Sequence, residues 1–207
     1  MTTRDRILHT SLLLFNEVGE PNVTTIDISN EMDISPGNLY YHYRGKEEII
    51  QELFNQFEAK IMTLLEAPGE ERLEMEDNWL YLHMIFECIN EYRFLYRDLN
   101  DLLGRMDKLR SRFNRILNMK VKASRTICEN LVDAGFMQAS KIELDMLAEN
   151  IVITATYWLN YQSIRNVGSQ EVLDLGKGAY QVISLFAPFL NGEQRALLQE
   201  LAKAYIE

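Results

Sequence analysis

From Thr25 to Lys46 the chain reads TIDISNEMDISPGNLYYHYRGK, two short helical patterns separated by a tight polar turn. This stretch restricts the possible folds more than any other. Thr25 is suited to cap the first helix, and Ile26 and Ile28 begin its apolar face. Met32-Asp33-Ile34 turns the chain, with an aspartate that tolerates left-handed backbone better than most residues other than glycine. Ser35 then caps a second helix with Pro36 at its first position, where a missing N–H costs nothing. A helix this short is not stable alone, so Leu39 and Tyr43, four residues apart on one face, must pack it against the helix that precedes the pair. The segment reads as a helix-turn-helix.

The rest of the chain reads as helix as well. No sustained period-two alternation occurs, and the single Asn-Gly pair, Asn191-Gly192, lies between helical patterns. A first helix runs from about Thr3 to Val18 with Ile7, Leu8, Leu12, Phe15 and Val18 as its inward stripe, ended by Gly19 and Pro21. A fourth begins near Lys46 and carries Ile49, Leu53, Phe57, Ile61 and Leu64 to a break at Pro68-Gly69. Further helices are expected near 73–97, 105–134, 143–166, 171–189 and 192–206. Ala134-Gly135-Phe136 supplies a Schellman stop, and Pro188 distorts or ends the helix it falls in. The fold class is therefore all-α: a three-helix helix-turn-helix domain over residues 1–47, followed by a larger helical domain over 48–207.

Composition excludes several classes. No run of eighteen apolar residues is present, and the N-terminal stretch has no small-residue cleavage site, so a cytoplasmic protein with no membrane partner is expected. Cys88 and Cys128 stand far apart with no CxxC motif and read as buried free thiols. His83 and Glu87 share a helix face, but two ligands do not make a metal site. There is no glycine-rich phosphate loop, nucleophile elbow or repeated Glu-x-x-His motif. No catalytic residue, metal or cofactor is expected, and the chain is not read as an enzyme.

The pattern Ser35-Pro36-Gly37-Asn38-Leu39-Tyr40-Tyr41-His42-Tyr43, then Lys46, together with Thr25, Ile28 and Ser29, resembles the TetR family of bacterial transcriptional regulators. The resemblance is specific over residues 4 to 50 and architectural beyond. One departure is Met32-Asp33, where the family usually carries Ala-Gly. It implies a DNA-binding regulator in which Tyr40, His42 and Lys46 hold phosphates and Pro36, Gly37, Asn38 and Tyr41 face base edges. Thr25 and Ser35 complete the DNA-binding set. The chemistry agrees: asparagine can pair with adenine, glycine admits close backbone approach, and a tyrosine ring can pack on a thymine methyl. Tyr40, Tyr41 and Tyr43 cannot all face a core.

Charge runs against this reading. The net charge is −10, and in residues 1 to 50 the basic side chains Arg4, Arg6, Arg44 and Lys46 are outnumbered by acidic ones. Specific binding needs local phosphate contacts, some supplied by backbone N–H groups at helix starts. Weak nonspecific and salt-dependent specific binding follow.

Dimers place two reading helices about 34 Å apart on double-stranded DNA, so a homodimer on a palindromic operator is expected. The family resemblance assigns the dimer interface to 143–166 and 171–189, with Ile151, Ile153, Ala155, Trp158, Leu159, Val182, Leu185, Phe186 and Phe189 as candidates shared with the monomer core. It also implies a small-molecule effector. Trp79, Phe86, Tyr92, Phe94, Tyr96, Met106, Phe113, Tyr157, Trp158 and Tyr161 are the candidate lining, suited to an apolar or amphipathic compound. Arg105, Lys108, Arg110, Arg112, Arg115, Lys120, Lys122 and Arg125 form either a solvated, salt-bridged face or a docking site for an anion. Repression released by the effector is the simplest mode. The alternative is a DNA-binding protein whose C-terminal domain responds to a protein partner.

Overall fold

The computed structural model describes residues 1–66, 75–165 and 175–206. Among them there is no strand, only a single bridge between Met137 and Leu190. The helices are α1 (Thr3–Val18), α2 (Thr25–Glu31), α3 (Pro36–His42), α4 (Lys46–Glu66), α5 (Met75–Glu91), α6 (Arg93–Arg97), α7 (Leu99–Arg105), α8 (Asp107–Asp133), α9 (Lys141–Arg165), α10 (Leu175–Ser184) and α11 (Gly192–Ile206). A 3-10 turn, Glu20–Asn22, follows α1. The expected break at Pro68-Gly69 and the expected starts at 73 and 171 lie outside the described residues.

Local chemistry sets most boundaries. Thr2 and Asp5 form a capping box at the start of α1. Gly19 ends it with φ 92°, a conformation few other residues adopt. α8 stops in a Schellman motif: Phe136 N–H donates to Leu131 C=O at 2.9 Å and Gly135 N–H to Val132 C=O at 2.9 Å, with Gly135 at φ 75°. The expected helix over 73–97 is instead divided at Tyr92, whose ψ of 37° starts the short α6. α10 ends at Ser184 in tight i→i+3 turns ahead of Pro188, which lacks an N–H and disfavours helix at the residue before it.

The chain packs as two compact units: Met1–Lys60 with Glu91–Arg112, and Ile61–Asn90 with Phe113–Glu207. These differ from the division at residue 47, because the segment 91–112 packs with the N-terminal helices. In the first unit Phe15 meets Phe94 at 5.3 Å between ring centroids, and Phe57 meets Tyr92 and Tyr96, each at 5.7 Å. Buried Asn16 donates to Glu91 C=O at 2.8 Å and accepts from Phe94 N–H at 3.0 Å. Arg97 caps the end of α1 through the carbonyls of Phe15 and Asn16. Buried asparagines need such partners, since an unpaired amide costs about 1–3 kcal/mol. Of the expected α1 stripe, Ile7, Leu8 and Phe15 are buried, whereas Val18 is exposed and Ser11 and Asn16 take its place.

In the second unit Phe86, Cys128, Leu131, Met137, Leu144, Leu147, Ile151, Ala155, Ala179, Val182, Leu190 and Leu198 form one core. Ile151, Ala155, Leu159 and Val182 are thereby sorted into the monomer core, and Ile153 is exposed. Both cysteines are buried thiols outside any disulfide, with burial pushing the Cys128 thiol up to about 12. No helix among the described residues is long and apolar enough to cross a membrane.

Candidate nucleic-acid interface

The interface is built from α1 outward. Leu39 and Tyr43 are fully buried and seat α3, with the Tyr43 ring 4.6 Å beneath the Arg4 guanidinium. Burial raises the Tyr43 phenol above its ordinary value. Ile28 and Ser29 bury the inner side of α2, Ser29 donating to Thr25 C=O at 2.8 Å. Between the two helices Asp33 sits at φ 53°, the left-handed conformation its side chain tolerates.

The cap of α2 lies one residue earlier than the sequence suggests. Thr24 is the cap: its hydroxyl accepts from Asp27 N–H at 3.2 Å, and the Asp27 carboxylate accepts from Thr24 N–H at 2.7 Å. These bonds hold the Asp27 carboxyl below its ordinary value. Thr25 is then free to point outward. Its hydroxyl lies 3.0 Å from the Tyr40 hydroxyl, joining α2 to α3 at the surface. Ser35 does cap α3, accepting from Asn38 N–H at 3.2 Å with Pro36 next.

With Leu39 and Tyr43 turned inward, Ser35, Pro36, Gly37, Asn38, Tyr40 and Tyr41 are exposed and form one continuous outer surface. Tyr41 is 85% exposed and edge-on to half-buried His42, ring centroids 5.1 Å apart. Lys46 is placed differently. Its ammonium lies 3.0 Å from Glu20 C=O, 2.9 Å from Val23 C=O and 2.9 Å from the buried Glu20 carboxylate, which Arg105 also pairs.

The candidate effector residues divide between the two units. Tyr92, Phe94 and Tyr96 belong to the core of the first unit, and half-buried Met106 lies in the same unit. Phe86, Phe113 and Trp158 lie in the second, while Tyr157 and Tyr161 are exposed on α9. The side chain of Trp79 lies outside the described residues. Aromatic residues at helical spacing build cores for reasons unrelated to ligands.

Of the expected basic series, Arg105 at the end of α7 pairs with Asp101 and Glu20, and in α8 Arg112 pairs with Glu58 and Arg125 with Glu129 and Asp145. Lys120 lies deeper. It is 4% exposed, and burial pushes its ammonium down to about 8. The signal was a charge in an apolar slot, since Phe113, Ile116, Lys120, Ala123 and Ile127 share one helix face.

A short outer helix carried on two buried anchors, behind a left-handed turn, defines a helix-turn-helix DNA-binding head. The chain belongs to the tetR family: the model described as "Bacterial regulatory proteins, tetR family" matches residues 7–53, and that described as "Bacterial transcriptional repressor" matches 56–198. It is similar to the biofilm operon icaADBC negative transcriptional regulator IcaR of Staphylococcus epidermidis, 40% identical over 102 residues. That match takes in 47% of this chain and only about half, 53%, of IcaR. QacR of Staphylococcus aureus is 28% identical over 55% of this chain and 65% of its own. The crystal structure of a TetR-family regulator from Marinobacter aquaeolei VT8 superposes with a TM-score of 0.87 at 35% identity, over 99% of both chains.

Proposed function

We propose that the chain is a homodimeric repressor that reads a palindromic operator through α3 and is released by a small amphipathic molecule. The observation that carries the DNA reading is the outer surface of α3, where Asn38 and Tyr41 stand clear of the protein while Leu39 and Tyr43 hold the helix in place. Asn38 and Tyr41 would meet base edges. Tyr40, oriented by Thr25, and His42 would hold phosphates, with Lys46 beside them at the start of α4.

Two further features support the reading. Ile142, Met146, Ile153, Tyr157, Tyr161 and Ile164 form an exposed apolar stripe along α9, opposite the face that carries Ile151, Ala155 and Leu159 into the core. A second copy packed on that stripe would cover it. Repression is the mode named for IcaR, described as a negative regulator, and for SmeT, the repressor of a Stenotrophomonas maltophilia efflux pump, which shares this fold. Release requires that the effector bind two arrangements of the dimer unequally. α4 runs from the DNA-reading helices into the C-terminal part of the chain and is the lever through which it would act.

Selection of sites from a random duplex pool at fixed physiological salt tests this, comparing the native chain with Asn38→Ala, Tyr41→Ala. The native protein should enrich an inverted repeat and the variant should lose or relax it while keeping its fold and dimeric state. Enrichment of the same repeat by both would remove α3 as the reader.

A further inference from the structure

The ammonium proposed above to hold a phosphate is already surrounded inside the protein. Of the three N–H groups that an ammonium carries, two donate from Lys46 to Glu20 C=O at 3.0 Å and Val23 C=O at 2.9 Å. These carbonyls stand at the two ends of the 3-10 turn after α1, so the bonds fix the start of α4 against that turn. The third acceptor in reach is Glu20 Oε1, an ion pair at 2.9 Å whose angles do not make a hydrogen bond. The Lys46 side chain is 25% exposed, so a phosphate oxygen can approach it. The partner it would replace at least cost in hydrogen bonding is Glu20 Oε1.

What that exchange costs is set by α7. Glu20 has no exposed surface, and a buried carboxylate deprived of every cation is strongly destabilising. Lys46 can therefore turn to a phosphate only while Glu20 keeps a second cation. Arg105, at the end of α7, supplies it by pairing with Glu20 Oε2, and Asp101, one turn earlier, holds the same guanidinium at 2.8 Å. The Asp98 carboxylate at the start of α7 accepts from Glu20 N–H at 3.2 Å, so α7 grips both the backbone and the side chain of this residue. All five residues belong to the first compact unit.

We infer that Glu20 and Arg105 are positioning residues for DNA binding: Arg105 carries the Glu20 charge so that Lys46 can exchange Glu20 Oε1 for a phosphate oxygen. Neither residue needs to touch DNA. The inference rests on the phosphate contact proposed for Lys46 and adds the residues that control it.

The test titrates the operator recovered by the selection above with the full chain and its variants over a range of salt, with thermal melts to confirm folding. Lys46→Met should bind several-fold more weakly, with the slope of log K against log salt reduced by about 1. Arg105→Met should do the same, because Lys46 is then the last cation on Glu20. Glu20→Gln releases Lys46 from the carboxylate and should bind operator more tightly than the native chain. The Glu20→Gln, Arg105→Met double variant should regain at least native affinity, whereas a merely structural role would leave it weaker than either single variant. A native slope in Arg105→Met overturns the inference, and so does weaker binding by Glu20→Gln, which is informative even where Arg105→Met does not fold. Native affinity and slope in Lys46→Met would remove the Lys46 phosphate contact and the inference together while leaving α3 as the reader. A native chain that enriches no site removes the DNA reading itself.

Discussion

The ammonium of Lys46 lies 2.9 Å from Glu20 Oε1, and Glu20 has no exposed surface. Removing one cation from a buried carboxylate leaves a charge short of a partner, and here Arg105 remains as the second. Lys46→Met should therefore lower unfolding free energy by ~1–3 kcal/mol in urea denaturation. The phosphate contact proposed for it is read separately: its loss would reduce the slope of log K against log salt by about 1.

Thr24 and Thr25 are adjacent and predict opposite phenotypes. Thr24→Ala removes the cap of α2 and should cost ~1 kcal/mol of stability. Thr25→Val keeps the cap, loses the hydroxyl contact to Tyr40, and should leave the melting temperature nearly unchanged while weakening operator binding. Thermal melts and operator titrations on both variants check this. A Thr25 variant that melts like the Thr24 variant would return the cap to Thr25.

Burial lowers the Lys120 ammonium to about 8, below its unfolded value of 10.5. Between these values the unfolded chain binds more protons than the folded one, so this group's destabilisation is full below pH 8 and is relieved as pH rises toward 10.5. Relative to the native chain, Lys120→Met should be most stable below pH 8, with its advantage shrinking across that window. Denaturation of both proteins from pH 6 to 10 checks it, and a gap independent of pH would mean the lysine is not titrating there.

A Cβ at Gly178 would stand 2.7 Å from both Phe86 Cε1 and Trp158 Cδ1. Real Cβ atoms do not approach so closely, so Gly178→Ala must push two large side chains or α10 itself. Overpacking of this kind costs ~1–3 kcal/mol. Gly104→Ala, with nothing within 4 Å of its Cβ, is the control and should cost little.

Features decided by a few neighbouring residues were legible in the chain. Ser35-Pro36 starts α3, Asp33 takes the left-handed turn, and Ala134-Gly135-Phe136 closes α8, because each depends on hydrogen bonds spanning six residues or fewer. Even there the cap moved by one, since Thr24 and Thr25 are chemically alike and only Asp27, three residues on, selects Thr24. The break at Tyr92 was illegible because no glycine or proline marks it.

Sequence alone thus determined the helical class, the helix-turn-helix and the identity of its outward residues, through periodicity and caps that act within a turn or two. Tertiary structure decided the rest. That 91–112 packs with the N-terminal helices, that Glu20 gathers Lys46 and Arg105, that Lys120 is buried, and that Arg112 and Arg125 pair with carboxylates all depend on residues tens of positions apart. A charge on a helix face carries no mark of whether water or another helix will meet it. Only the packing of the remaining chain supplies one or the other.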